Sequence, residues 1–163
     1  MRLSWCLLPI VVAALATAVP SRAEELALRA PVPSRILLDL QRREISRAYF
    51  VRMRGSWPVA IGDPKTPTPH GGFAILRKEV NPIYVSNKSG QRKELSGPTS
   101  PIGDRYLAFH RNGRGEFGIH GTPWPHWVKT RAAVSLGCVR MLNDHVRQLF
   151  DLVDVGTSLE IRG

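Results

Sequence analysis

From Asp63 to Gly72 the chain reads Asp63-Pro64-Lys65-Thr66-Pro67-Thr68-Pro69-His70-Gly71-Gly72. Such a stretch is neither helix nor central strand, because its three prolines lack an amide donor and its glycines favour turns. It is a stiff loop, and the apolar runs on either side are short. Arg35 to Leu40 and Ile45 to Val51 read as partner strands across the polar break Gln41-Arg42-Arg43-Glu44, and Arg54-Gly55 reads as the next turn. Trp57 to Ile61 reads as a third strand, with Pro58 at its edge or start, so the opening is an antiparallel meander. After the loop, Phe73 to Leu76 is a strand, and Asn81 to Pro101 is a long polar connection in which only Ile83-Tyr84-Val85 is suited to pairing. Tyr106 to Phe109 and Phe117 to Ile119 are joined across Arg111 to Gly115, which puts His120 at a strand end. The only clear helix has Asn143 as N-cap and Val146, Leu149, Phe150 and Val153 on one face, ending near Val155-Gly156; Thr157 to Ile161 closes as a strand. Many short strands and one helix predict a mainly β domain. At 163 residues with 43% hydrophobic residues, the chain has room for one such core and hardly more.

Upstream of this domain, Met1-Arg2 is a basic start, Leu7 to Val19 is apolar, and Ser21-Arg22-Ala23 ends in small residues suited to cleavage before Glu24. Residues 1–23 read as a secretory signal peptide, 24–34 as a lead, and 35–163 as the domain. The apolar run contains Pro9 and is shorter than the roughly 20 residues of a membrane span, so a retained anchor is the weaker reading. The expected mature chain carries 21 basic against 13 acidic side chains, a formal +8. An exported chain of that charge meets anionic envelope polymers and lipid surfaces, staying peripheral to the membrane at most. Nucleic acid is not the expected partner, since the basic residues are scattered and no basic-aromatic reading motif occurs.

Cleavage also removes Cys6, leaving Cys138 unpaired. A lone thiol in an oxidising compartment is either buried and inert or kept for its reactivity, and its flanks favour reactivity. His120 stands between Ile119 and Gly121, and Cys138 follows Gly137, which lets the chain approach a substrate closely. A thiol needs a neighbouring base or positive charge to act as a nucleophile at neutral pH; His120, Arg140 and His145 are the candidates, with His145 more simply a helix-terminus residue. Amides at Gly137 and Cys138 are placed to form an oxyanion hole. Trp124 and Trp127 either line a lid or pack on the core. His70, His110 and His126 read as surface or core histidines.

The pair His120-Gly121-Thr122 and Ser135-Leu136-Gly137-Cys138-Val139-Arg140-Met141 resembles the L,D-transpeptidase (YkuD-type) catalytic domain. Thr66-Pro67-Thr68-Pro69-His70-Gly71 is similar to that family's T-P-T-x-G loop, and the likeness continues through Asn143, Leu149-Phe150-Asp151 and Val155-Gly156-Thr157, covering roughly residues 35–163. It implies a β-sandwich-like domain of mixed sheets with one short C-terminal helix. It also implies that Cys138 attacks a peptidoglycan stem peptide between the third-position diamino acid and D-alanine, forming a thioester. A second stem's amine, a lipoprotein lysine or water then resolves the thioester. On this resemblance His120 activates the thiol, with the Gly121 carbonyl orienting the ring, while Ser135 and Arg140 shape the site; Gly137 is the expected oxyanion residue, and Arg140 and Trp124 are the expected substrate contacts. The resemblance implies no metal and no organic cofactor, and it places the protein in the periplasm or cell envelope. One departure is Leu136, where the family often carries His or Arg.

Rival readings remain. A papain-like hydrolase uses the same residue types, but its cysteine precedes its histidine. A zinc amidase would draw on His110, His120, His126 and Cys138, which lack tight ligand spacing. Hydrolysis of the same stems by a carboxypeptidase or endopeptidase is a third possibility, and a non-catalytic wall-binding module is a fourth.

Overall fold

The computed structural model describes residues 34–49, 52–86 and 90–163. The expected signal peptide, nearly all of the lead, and Phe50 and Val51 lie outside the described residues.

One sheet is built on Arg35–Asp39 (β1), where alternation buries Ile36 and Leu38 completely. Glu44–Tyr49 (β2) pairs antiparallel with β1, and Arg52–Pro58 (β3) pairs antiparallel with β2. On its other side β1 runs parallel to Ser158–Arg162 (β13), which pairs antiparallel with Gly71–Ala74 (β5), giving the order β3-β2-β1-β13-β5. The second sheet joins Arg77–Val80 (β6), Arg105–Asn112 (β9), Gly115–His120 (β10) and Val139–Arg140 (β12) in the order β12-β10-β9-β6. Its β10–β12 pair is parallel and the others are antiparallel. Two small ribbons complete the pairing: Ile61–Gly62 (β4) with Ala133–Ser135 (β11), parallel, and Tyr84–Ser86 (β7) with Lys93–Leu95 (β8), antiparallel.

Ile36, Leu38, Ile45 and Leu159 of the first sheet meet Leu107, Phe109, Phe117 and Ile119 of the second in one core, which makes the fold a sandwich of mixed sheets. Asn143–Leu152 (α2) adds Val146 and Leu149 to that core, and Pro125–Lys129 (α1) is a five-residue helix that buries Val128. Burying one such side chain contributes about 1.5–3 kcal/mol, whereas an exposed ion pair contributes about 1 kcal/mol or less. The core therefore holds the site's strands in place, and the ion pairs on the surface only tune it.

Several expectations are corrected. β3 continues through Arg54 and Gly55, where the register against β2 shifts and Gly55 has φ 84°, so the segment is an irregularity within the strand and not the turn that ends it. Trp57 to Ile61 is not one strand: β3 ends at Pro58, and Ala60 turns aside to exchange two backbone hydrogen bonds with Arg140, at 2.9 and 2.8 Å. The 81–101 connection holds β8 as well as the anticipated pairing segment. Asn143 is the first helical residue of α2 and does not cap it. Its side chain instead accepts from the Thr122 amide (3.0 Å) and donates to the Pro98 carbonyl (3.0 Å). The helix stops at Leu152, before Val155.

Candidate active site

The meeting of His120 and Cys138 follows from a two-residue parallel pairing. β10 and β12 align Ile119 with Val139 and His120 with Arg140, so Cys138, just before β12, comes against Gly118. The turn that presents Cys138 is tied internally. Ser135 Oγ donates to the Cys138 carbonyl (2.5 Å) and accepts from the Gly137 amide (3.1 Å). Gly137 has φ 114°, and a Cβ there would lie 2.5 Å from the Phe117 ring, so the turn requires glycine on two counts. The Pro-rich loop braces it from outside, where Thr66 Oγ1 and the Asp63 amide both donate to the Ser135 carbonyl (3.0 and 2.9 Å). One expectation changes here. The Gly137 amide points at Ser135 Oγ and is therefore not open to an oxyanion.

His120 closes β10 and is 3% exposed. Its Nδ1 lies 2.6 Å from the Gly121 carbonyl oxygen; a carbonyl only accepts, so Nδ1 carries the hydrogen and Nε2 is left with its lone pair. Burial, with a smaller push from Arg140, lowers its pKa to about 4 against the opposing pull of the Gly121 bond. Burial likewise raises the Cys138 pKa, while Gly118, Tyr106 and Arg140 act to lower it. At neutral pH the pair is a neutral imidazole and a neutral thiol.

Arg140 sits beside both. Its guanidinium lies 4.5 Å over the Trp127 ring and 5.9 Å from that of Trp124, and its Nε and Nη1 are buried without a protein partner. The two tryptophans contact each other at 4.8 Å and stand outside the shared core, so their visible work is to hold Arg140. A cavity of about 160 Å³ is lined by His120, Ser135, Leu136, Cys138 and Arg140, together with Tyr84, Pro101 and Ile102. Leu136 is 83% exposed on its rim.

Tyr106 is a site residue that the sequence did not single out. It lines one cavity together with Cys138, its ring lies parallel to that of His120 at 5.9 Å, and burial raises its pKa, which keeps the phenol protonated. The available clue was Gly118, since a Cβ there would fall 2.3 Å from Tyr106 Cζ. The remaining histidines stay apart. His110 lies against Phe73 and Phe117, His126 against Trp127, His70 is exposed, and His145 is half-buried in α2. The metal-capable set His110, His120, His126 and Cys138 is not gathered at one point, and no group of three or more such side chains occurs among the described residues.

The family model for the L,D-transpeptidase catalytic domain (YkuD) matches residues 33–161. YqjB of Bacillus subtilis, assigned as an L,D-transpeptidase, is 32% identical over 130 residues, which cover 77% of this chain and 69% of YqjB. Among solved structures, an L,D-transpeptidase from Mycobacterium smegmatis shares the fold with a TM-score of 0.66 at 20% identity, over 80% of this chain and 59% of that one. The L,D-transpeptidase LdtMt1, solved in complex with imipenem, gives 0.62 at 21% identity, over 80% and 59%. The chain thus spans about three fifths of the length of these solved relatives.

Proposed function

Because the chain belongs to the L,D-transpeptidase catalytic-domain family, we propose that it is an exported cysteine acyltransferase acting on peptidoglycan stem peptides in the periplasm or cell envelope. The supporting observation is the cavity that Cys138, His120 and Arg140 line together. The Cys138 sulfur attacks the carbonyl between the third-position diamino acid and D-alanine as His120 Nε2 takes the thiol proton. Tyr106 donates to the developing oxyanion, replacing the occupied Gly137 amide in that role. The C–N bond breaks, D-alanine leaves as an amine carrying the proton from His120, and the acyl group remains as a thioester on Cys138. An acceptor amine then attacks, loses its proton to His120, and the thiol is restored. The acceptor is a second stem, with a lipoprotein lysine or water able to enter the same step. Arg140, with two unpartnered donors, takes a substrate carboxylate, Trp124 stands behind its guanidinium, and Leu136 borders the cavity.

Two measurements test this reading. Imipenem, the ligand of the related LdtMt1, should add its mass once to the unmutated protein and not to Cys138→Ala. With a purified tetrapeptide stem, the unmutated protein should release D-alanine and Cys138→Ala should not. An unmodified mass after prolonged exposure, or turnover by Cys138→Ala, overturns it.

A further inference from the structure

Arg131 stands where glycine is usual. α1 ends at Lys129 with Thr130 as its C-cap, and the chain turns out of the helix through Arg131 at φ 52°. The Ala132 amide donates back to the Trp127 carbonyl (2.8 Å) and the Arg131 amide to that of Val128 (3.0 Å). In a helix ending with this pair of bonds the left-handed residue is most often glycine, because a Cβ disfavours the conformation. Arg43, in the turn between β1 and β2, is a second arginine with positive φ, 51°. The two hold each other. Arg131 Nη1 donates to the Arg42 and Arg43 carbonyls (2.8 and 2.7 Å) and its Nη2 meets Glu44 Oε2 at 3.2 Å, while Arg43 Nη1 donates to the Arg131 carbonyl.

This clasp reaches Arg140 at both of its ends. The Val59 amide donates to the Arg43 carbonyl (3.0 Å), Ala60 exchanges its two bonds with Arg140, and the Ile61 amide donates to the Ala132 carbonyl (3.0 Å). The Arg140 backbone is thus held by the middle of a three-residue run whose ends meet the two halves of the clasp. Its guanidinium is held by the ring of Trp127, the residue whose carbonyl the Ala132 amide ties down. We infer that Arg131, joined to Arg43, is a positioning residue that anchors α1 so that Trp127 keeps the Arg140 guanidinium in the cavity beside His120. It touches no reacting atom. The inference rests on the acyl-transfer reading above, in which the nitrogen of the departing D-alanine collects its proton from His120. A single carbon separates that nitrogen from the D-alanine carboxylate, which therefore falls to Arg140 in the same cavity.

The test compares two tetrapeptide stems that differ only at the C-terminus, one ending in D-alanine and one in D-alaninamide. Acylation of Cys138 is followed by intact mass and by release of the terminal residue. The unmutated protein should favour the acid by tenfold or more. Arg131→Gly suits the φ of its position and keeps both helix-ending bonds, so it removes the clasp and spares the fold. It should cut the preference for the acid at least threefold, through KM for the acid, with kcat and the rate on the amide within twofold. Arg43→Gly should do the same from the other side. Ile36→Val trims the core and none of these bonds, so it should lower the melting temperature and keep the preference. A preference unchanged in a folded Arg131→Gly overturns the inference, as does an equal fall in Ile36→Val or equal use of the two donors by the unmutated protein. If neither donor acylates Cys138, the acyl-transfer reading itself fails and the inference falls with it.

Discussion

His120 and Cys138 rest as a neutral pair, and that fixes how the thiol must react. A thiolate-imidazolium pair would need a histidine pKa above the working pH, yet burial takes His120 from 6.5 down to about 4 and pushes Cys138 up. On the proposed acyl transfer, proton transfer would therefore accompany attack on the carbonyl. The base-competent form of His120 persists above about pH 4, so the acid limb of acylation, measured with imipenem by absorbance, should lie near pH 4. A limb near 6.5 would show that the imidazole is not held in a desolvated site. Arg140 yields a second prediction at this scale. Lysine keeps its charge but loses the planar fork, and one hydrogen bond to a charged group is worth about 1.5–3 kcal/mol, or roughly ten- to a hundredfold. Arg140→Lys should lower kcat/KM for a stem donor by that factor while thermal stability changes little. Equal acylation by both proteins would leave Arg140 as scaffold.

The elements that carry the site are shorter than anything periodicity reveals. β1 and β13 were legible because Ile36, Leu38, Leu159 and Ile161 alternate with exposed or half-buried neighbours. β12 and β4 have two residues each, too few to show a period, and they pair through backbone contacts whose partners lie far away in sequence. β6, Arg77-Lys78-Glu79-Val80, carries no apolar alternation that would mark it as a strand, because its two faces meet polar tasks. Arg77 and Glu79 line a cavity, while Lys78 Nζ donates to the Phe150 and Val153 carbonyls (2.7 and 2.5 Å) at the C-terminal end of α2. Cys138, His120 and the Thr66 loop were readable from motif. Tyr106 was not, since only the antiparallel register of β9 and β10 places it at the sulfur. That register supplies a prediction. Gly118→Ala puts a methyl inside the Tyr106 ring, an overpacking that costs about 1–3 kcal/mol and displaces the phenol from Cys138. Its melting temperature should fall and imipenem acylation should slow. An unmutated rate in the variant would mean that Tyr106 does not assist.

Across the whole molecule, the same buried histidine links the site to stability. The unfolded chain protonates His120 near its ordinary 6.5 and the folded chain only near 4, so between those values the unfolded state binds more protons and stability falls as pH falls. The window of roughly 2.5 units corresponds to about 3 kcal/mol, a sizeable part of the roughly 5–15 kcal/mol of a typical domain. Glu116 adds a second loss at lower pH. Burial pushes its pKa up, but hydrogen bonds and charge from Arg111 and Arg77 together outweigh that and hold it below the ordinary 4.5, so the stability it contributes disappears as pH falls through that lowered value. The two effects are separable because they occupy different windows and only one requires an imidazole. Urea unfolding at about pH 7, 5.5 and 4 should show a progressive loss of stability in the unmutated protein. His120→Gln cannot titrate, so it should show little change from about pH 7 to 5.5, and on the proposed function it should also lose acyl transfer. A parallel decline in both proteins over that upper window would assign the loss to other groups and remove His120 as its source.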